Sequence, residues 1–336
     1  GANKTGRWSG RLVQVQNLPQ TNLKNIDLIR NIIKENDVKD SFELLKILYD
    51  NTQNVLSNLI RTAFISTHNK KLIISDFSAI EARVLAYIAN EKWRIDVFNS
   101  HGKIYEASAS KMFKVDIDKI TKDSPLRQKG KIAELALGYQ GGVNALKTMG
   151  AEQMGLSNME MENLVKNFRS SNSNIANFWK CVEKASINTL KYKTNIKVNN
   201  IEFIYDKDYL FIKLPSGRSL AYYKPQIEID NKFNREILSY KSINQTTKKF
   251  EKTYTYGGKL TENIVQAIAR DILATKMLDL DKHGYEIIMH VHDEVVLQVD
   301  EDIKIEHINE IMEKDIDYLK KLKLKADTQI SYYYKK

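Results

Sequence analysis

Residues 71–77 open on an almost unbroken apolar run, Leu72-Ile73-Ile74, and close on Asp76-Phe77. A short run of this kind predicts a buried strand. Apolar positions then return at helical spacing over residues 80–89, so the strand should hand over directly to a helix. Helical spacing also marks residues 23–60, through Leu28, Ile32, Ile33, Phe42, Leu45, Leu48, Val55 and Leu59, and most of residues 90–200, with breaks at Asp123-Ser124-Pro125 and Gly141-Gly142. From 201 to 256 the pattern changes to short strands, at 210–214, 220–223 and 227–229. Residues 261–280 return to a helix, with Ile264, Val265, Ile268, Ile272 and Leu273 on one side, and it should stop near His283-Gly284. Residues 286–299 read as a hairpin, and a last helix over about 305–322 precedes a basic tail. Residues 1–19 look irregular or strand-like. No regular alternation of strand and helix runs through the chain, so an α+β fold is expected, an antiparallel sheet with a helical domain inserted, and not a doubly wound one.

With 336 residues the chain can bury a large core and form two subdomains. It carries 52 Lys and Arg against 42 Asp and Glu, a net charge of +10 that suits a polyanionic partner without demanding one. Its single cysteine, Cys181, excludes an internal disulfide framework and fits a reducing compartment. No stretch is apolar enough to span a bilayer, and residues 1–11 lack the apolar core of a signal peptide. The first residue is Gly1 and not Met, as in a piece of a longer protein.

Two carboxylates interrupt apolar strands: Asp76 at the end of one, and Asp293, followed by Glu294, at the hairpin turn. Carboxylates beside a buried sheet are costly unless paired or bound to metal. Two from neighbouring strands could hold a pair of Mg²⁺ ions for phosphoryl transfer. A plainer account makes Asp293 a turn residue and Asp76 a helix cap, although the cluster His290-Val-His292-Asp293-Glu294 is more than a turn needs. Ser78 and Glu81 have the spacing of a capping box, which alone would account for Glu81.

Asp123-Ser-Pro-Leu-Arg127 is a helix start, and Arg127, Lys131, Leu135 and Tyr139 follow at steps of four along about 18 Å of helix. Two cations, an apolar group and an aromatic in that order could hold a triphosphate and a base; a solvated basic face is the alternative. Gly130 and Gly138 should soften this helix, as a hinge that turns on substrate binding would require. Glu262, Gln266 and Arg270 share one face of the long helix and could read a duplex minor groove, or form an ordinary exposed face. Arg7, Arg11, Gln16 and Asn17 could touch backbone and base edges, or be plain loop residues.

These pieces together resemble the family A DNA polymerases, the bacterial polymerase I type, and most closely their phage branch. Asp76-Phe-Ser-Ala-Ile-Glu81-Ala-Arg83 resembles motif A, Arg127-x3-Lys131-x3-Leu135-x3-Tyr139 resembles motif B, and His290-Val-His292-Asp293-Glu294 resembles motif C. Thr5-Gly-Arg7, Gln16-Asn17-Leu-Pro19 and Gln266 match further family positions, and the likeness covers nearly the whole chain. It implies template-directed transfer of dNTPs to a primer 3′-hydroxyl, with two Mg²⁺ ions (or Mn²⁺) on Asp76, Asp293 and the Phe77 carbonyl, and Glu294 in support. Arg127 and Lys131 would hold the triphosphate. Tyr139 would stack near the templating base, with Leu135 and Tyr105 beside the nucleotide, and Glu81 would exclude a ribose 2′-hydroxyl. Arg7, Gln16, Asn17, Gln266, Arg270 and His292 would contact primer–template DNA. The fold implied is a right-hand palm (1–88 and 199–336) with inserted fingers (89–198). A thumb and any exonuclease would precede Gly1 or belong to a separate subunit, so weak duplex binding and poor extension are expected of this segment. The setting implied is the cytoplasm of a bacterial or phage-infected cell, at the nucleoid.

This chain departs from the family at four residues and in residues 20–60, which are longer than in bacterial members, a length that the phage branch tolerates. Leu135 stands where Phe or Tyr is usual, Tyr105 where His is frequent, Gln140 where Gly follows the motif B tyrosine, and Glu262 where many members have Asn. Two other readings stand: a single-subunit RNA polymerase-like enzyme, against which Glu81 argues, and a non-catalytic DNA-binding relic, against which the full set of motif residues argues.

Overall fold

The computed structural model describes residues 4–10, 14–21, 23–230, 234–244 and 247–335. Three helices come first, α1 (Ile26–Glu35), α2 (Val38–Leu48) and α3 (Thr52–Leu59), around a small core of Ile29, Leu45 and Val55. The strand β1 (Lys70–Phe77) follows and passes at once into α4 (Ile80–Ala89). Helices α5 (Lys92–Asn99), α6 (Ile104–Phe113), α7 (Pro125–Leu137), α8 (Val143–Thr148), α9 (Asn158–Ser171) and α10 (Ser173–Tyr192) form the helical middle.

The chain then builds an antiparallel sheet of six strands in sequence order: β2 (Ile196–Val198), β3 (Ile201–Asp206), β4 (Tyr209–Lys213), β5 (Ser219–Asp230), β6 (Arg235–Ile243) and β7 (Phe250–Thr255). The 26-residue helix α11 (Gly257–Lys282) leads to the hairpin β8 (Glu286–Val291) and β9 (Glu294–Asp300). α12 (Ile305–Glu313) and β10 (Ala326–Ser331) complete the chain. A second antiparallel sheet has the order β10-β1-β9-β8, which sets the first strand of the chain between strands from its end. The fold is α+β, as expected, and among the described residues no helix is long and apolar enough to cross a membrane.

β1 is buried on both faces. Ile73 and Phe77 join the main core with α4 and α11, whereas Leu72 and Ile74 face Val291, Val296 and Tyr334. Its run therefore reads as continuous apolar residues and not as an alternation. The apolar side of α11, Ile264, Val265, Ile268, Ile272 and Leu273, is almost completely buried.

Three expectations need correction. The last helix ends at Glu313, well short of 322, and a 3₁₀ turn at Asp317–Leu319 follows. The basic tail contains β10, paired antiparallel with β1 from Leu72↔Ser331 to Phe77↔Ala326. At the start of α4, Ala79 adopts a left-handed φ of 51° and caps the helix with no side-chain hydrogen bond, so the Ser78–Glu81 capping box does not form. The Ser78 amide is used by the Lys325 carbonyl at 2.9 Å, which leaves the Glu81 carboxylate free to turn elsewhere.

Candidate functional site

The end of β1 and the start of β9 lie side by side, with Asp76 opposite Glu294 in the register. One residue on, the Phe77 amide donates to the Asp293 carbonyl at 3.3 Å. Asp76 and Asp293 thus meet at one sheet end, both partly buried, with exposed His292 between the strands at a φ of 56°. Glu294 is buried and accepts a hydrogen bond from the Tyr334 hydroxyl at 2.8 Å. Burial and the Glu294 charge push that phenol well above its ordinary range, so it stays a donor. Glu294 is in this way anchored to the chain's end, a partner hidden from the sequence reading because the tail looked merely basic. Asp327, on β10, stands opposite Asp76 on its other side.

Glu81, on the first turn of α4, reaches across to two residues far away in sequence. Its carboxylate pairs with the Arg7 guanidinium and accepts from the Tyr139 hydroxyl at 2.8 Å. Burial first, then the Glu81 charge, raise the Tyr139 pKa well above the ordinary value, so the phenol donates across the working pH range.

α7 begins as its sequence predicts. Pro125 is in the first turn, and Ser124 accepts from the Leu126 amide at 3.2 Å. Its Gly130 is a packing requirement: a Cβ there would overlap the Tyr105 carbonyl of α6. Arg127 donates to Glu106 at 2.6 Å, and its guanidinium lies 5.5 Å from the Tyr105 ring. Burial raises the Tyr105 pKa, with Glu134 adding to it. Leu135 is half exposed. Next to it Glu134 turns inward and forms a bidentate pair with the fully buried Arg94 of α5, which also donates to Asn172 at 3.0 Å. Nothing in the local pattern marks this pair, because neither residue belongs to a patterned face.

A cleft of about 410 Å³ opens among these groups, lined by Arg7, Glu81, Tyr105, Leu135, Tyr139 and Asp293. Arg127 and Lys131 lie farther toward the start of α7, outside that lining. A second cleft of about 590 Å³ adjoins it, lined by Arg7, Trp8, Gln16, His290 and His292. On its wall the Trp8 ring meets His290 at 4.5 Å with the rings tilted by 60°, and behind it the Arg270 guanidinium lies 4.1 Å from the Trp8 ring. Burial, then the charge of Arg270, lower the His290 pKa. Arg270 also donates to the Gly6 carbonyl at 3.1 Å, tying α11 to the opening segment.

The remaining residues singled out in the sequence stand apart from both linings. Gln266 donates to Glu262 at 3.3 Å along α11, and exposed Asn17 donates to Gln14 at 2.5 Å. Arg11 lies outside the described residues.

Among the described residues no group of three or more His, Cys, Asp or Glu is placed to hold a metal ion. The chemistry on offer at the sheet end is a pair of hard carboxylates with backbone carbonyls. That set suits Mg²⁺, which is commonly held by one or two carboxylates together with substrate phosphates, and not a closed all-protein cage.

The chain resembles known proteins along its whole length. The sequence model of DNA polymerase family A matches residues 2–336. A DNA polymerase of Bacillus phage SP02 is 51% identical over 338 residues, covering 100% of this chain and 51% of the phage protein. A DNA polymerase I of Pseudomonas aeruginosa is 24% identical over 73% of this chain and 22% of its own length. The solved POL domain of Pol1 from M. smegmatis, in complex with DNA primer-template and dNTP, superposes with a TM-score of 0.60 over 98% of this chain and 46% of that one. At 17% identity that likeness is one of fold. The chain spans about half the length of the phage relative and less of the bacterial ones. Three motifs around one cleft, a family match from residue 2 to 336 and a phage relative alike over the whole of this chain agree: the chain belongs to DNA polymerase family A.

Proposed function

We propose that this chain is the polymerising part of a DNA polymerase, extending a primer 3′-hydroxyl with dNTPs along a template. The observation that carries the reading is the meeting of Asp76 and Asp293 at one sheet end, through the 3.3 Å bond from the Phe77 amide to the Asp293 carbonyl. In this reading residues 1–88 and 199–336 are the palm and residues 89–198 the fingers. The protein works beside DNA in the interior of a bacterial or phage-infected cell.

Asp76 and Asp293 would hold the metal ions, with the Phe77 carbonyl as a further oxygen donor. Two bound Mg²⁺ ions, or Mn²⁺ in their place, would supply Lewis-acid stabilisation to the attacking and leaving oxygens. Arg127 and Lys131, at the start of α7, would receive the triphosphate. Arg127 must then exchange its Glu106 partner for phosphate, a charge-for-charge swap that keeps the guanidinium satisfied throughout. Leu135 and Tyr105 would flank the nucleotide, and the Tyr139 ring would stack near the templating base. Glu81 would occupy the space of a ribose 2′-hydroxyl, held there by Arg7 and Tyr139. Arg7, Gln16 and His292 around the second cleft, with Asn17, Gln266 and Arg270 beyond it, would meet the primer–template duplex.

The test is extension of a primed template in Mg²⁺ by the chain and by Asp76→Ala and Asp293→Ala. Incorporation should disappear in both variants while DNA binding stays within a few-fold. Near-normal rates in either variant would end the metal assignment. Failure of the parent chain to extend under any metal would favour a DNA-binding relic, and equal use of rNTPs and dNTPs an RNA polymerase-like enzyme.

A further inference from the structure

The six-stranded sheet has two unlike faces. One packs Phe203, Leu210, Ile212, Tyr222 and Leu238 into the main core with α10. Strand alternation sends the neighbouring residues to the other side. There Tyr209 and Phe211 stack at 5.4 Å with rings 21° apart, Tyr209 lies 5.1 Å from Tyr223, and Tyr223 lies 6.2 Å from Phe250. The row crosses four strands, about 14 Å at the usual strand spacing. Its members are far from equally covered, Tyr209 being 37% exposed and Phe250 58%.

Cross-strand aromatic pairs stabilise a sheet on their own account, and this explains Tyr209, Phe211 and Tyr223. It does not explain an open phenylalanine at the far end of the row. Nor does it explain the cations. Lys241 is the register partner of Tyr223 on one side and of Lys252 on the other. Like charges directly opposite one another cost stability. Lys252 is offset by Glu228 at 3.0 Å, whereas Lys241 makes no ion pair among the described residues. Lys224 adds a third cation, with its ammonium 5.5 Å from the Tyr223 ring. A polyanion with flat apolar groups would relieve the lysine repulsion and cover the rings together.

We propose that this face binds single-stranded DNA, with bases stacked on Tyr209, Tyr223 and Phe250 and phosphates against Lys224, Lys241 and Lys252. A single strand fits, and a duplex does not, because paired bases present no free π-face to a flat sheet. The surface lies on the outer side of the sheet, with none of these six residues lining either cleft, so it would be a second contact for an unpaired strand.

The test uses the 336-residue chain and a fluorescein-labelled 5-iodo-dU oligonucleotide, with excess unlabelled primed duplex to occupy the clefts. Photocrosslinks should map to the strands carrying Tyr209, Tyr223 and Phe250. Fluorescence anisotropy should show about tenfold weaker binding for Phe250→Ala. Phe250→Trp, which keeps a stacking face, should bind as the parent does. Lys241→Ala should reduce the slope of log K against log salt by about 0.7. Primer extension on a short template should be unchanged in all three variants. Crosslinks confined to cleft residues, or unaltered affinity in Phe250→Ala with a native circular dichroism spectrum, would overturn the proposal. So would a sheet face covered by protein, seen as capture of a polypeptide with no effect of the oligonucleotide.

Discussion

The side-chain oxygen of Gln140 accepts the backbone amide of Gly258 at 2.9 Å, joining the end of α7 to the start of α11. Gln140 follows the tyrosine that pairs with Glu81, and it holds a left-handed φ of 66° that a glycine would adopt without strain. The family's usual glycine at this place could not cap α11, and in this chain the strain is offset by the cap. Gln140→Ala should keep the strain and lose the bond, at a cost of about 1 kcal/mol. At Gly258 a Cβ would overlap the Tyr139 carbonyl, so Gly258→Ala should cost about 1–3 kcal/mol and displace Tyr139. Denaturant melts of the two variants measure both effects; an unchanged midpoint in Gly258→Ala would show that the two helices are not in contact as described.

Arg94 and Glu134 are nearly sealed from solvent, with side chains 1% and 4% exposed. Removing one member leaves the other charge buried without its counterion, which costs about 3–5 kcal/mol. Arg94→Met and Glu134→Leu should each destabilise by that order. The double variant should recover most of the loss, since apolar replacement of both partners is close to neutral. Thermal melts of all four species form the cycle, and additive losses in the double variant would count against a direct pair.

The parts of this molecule legible in sequence are those where one residue type breaks a local pattern. Asp76 and Asp293 stand out because a carboxylate interrupts apolar strands, and α7 because Ser124-Pro125 starts it and its cations recur every four residues. At Glu81 the local pattern misleads: Ser78 and Glu81 have capping spacing, yet the Ser78 amide is taken by the Lys325 carbonyl. That competitor sits on the far end of the chain, where no window could reveal it. β10 is hidden for a related reason. Ala326-Asp-Thr-Gln-Ile-Ser331 is a polar edge strand whose only strong determinant is β1, and its propensity is decided by pairing. Arg94 and Glu134 were invisible because burial of a charge is a property of the assembled fold.

In the proposed reading Glu81 excludes a ribose 2′-hydroxyl, with its carboxylate held in place from two directions by Arg7 and Tyr139. Glu81→Ala opens that space and should lower the preference for dNTP over rNTP by about 10–100-fold, the range that one steric or polar group supplies. Glu81→Gln fills the same volume and can still accept from Tyr139, so most of the preference should remain while the Arg7 ion pair is lost. The ratio of kcat/KM for matched dNTP and rNTP measures this. An unaltered ratio in Glu81→Ala would remove the carboxylate from the sugar site.

Lys4 supplies a dependence of stability on pH that lies outside the clefts. Its ammonium sits 3.3 Å from the Tyr240 ring centroid and 4.9 Å from that of Tyr222. Burial, then repulsion from Lys259, bring its pKa from 10.5 down to about 7. A folded pKa below the unfolded one means that the unfolded chain holds more protons between about pH 7 and 10.5, so this residue makes stability rise with pH across that window. Below pH 7 the lysine is charged in both states and its burial penalty is felt in full. The two rings favour the cation and part of the side chain remains in contact with water, so the change is on the order of 1–2 kcal/mol. Lys4→Met should raise the melting temperature at pH 6.5, and the advantage should shrink toward pH 9.5, where the parent lysine is already neutral when folded. A constant difference between the two proteins across that range would show that Lys4 keeps its proton in the fold.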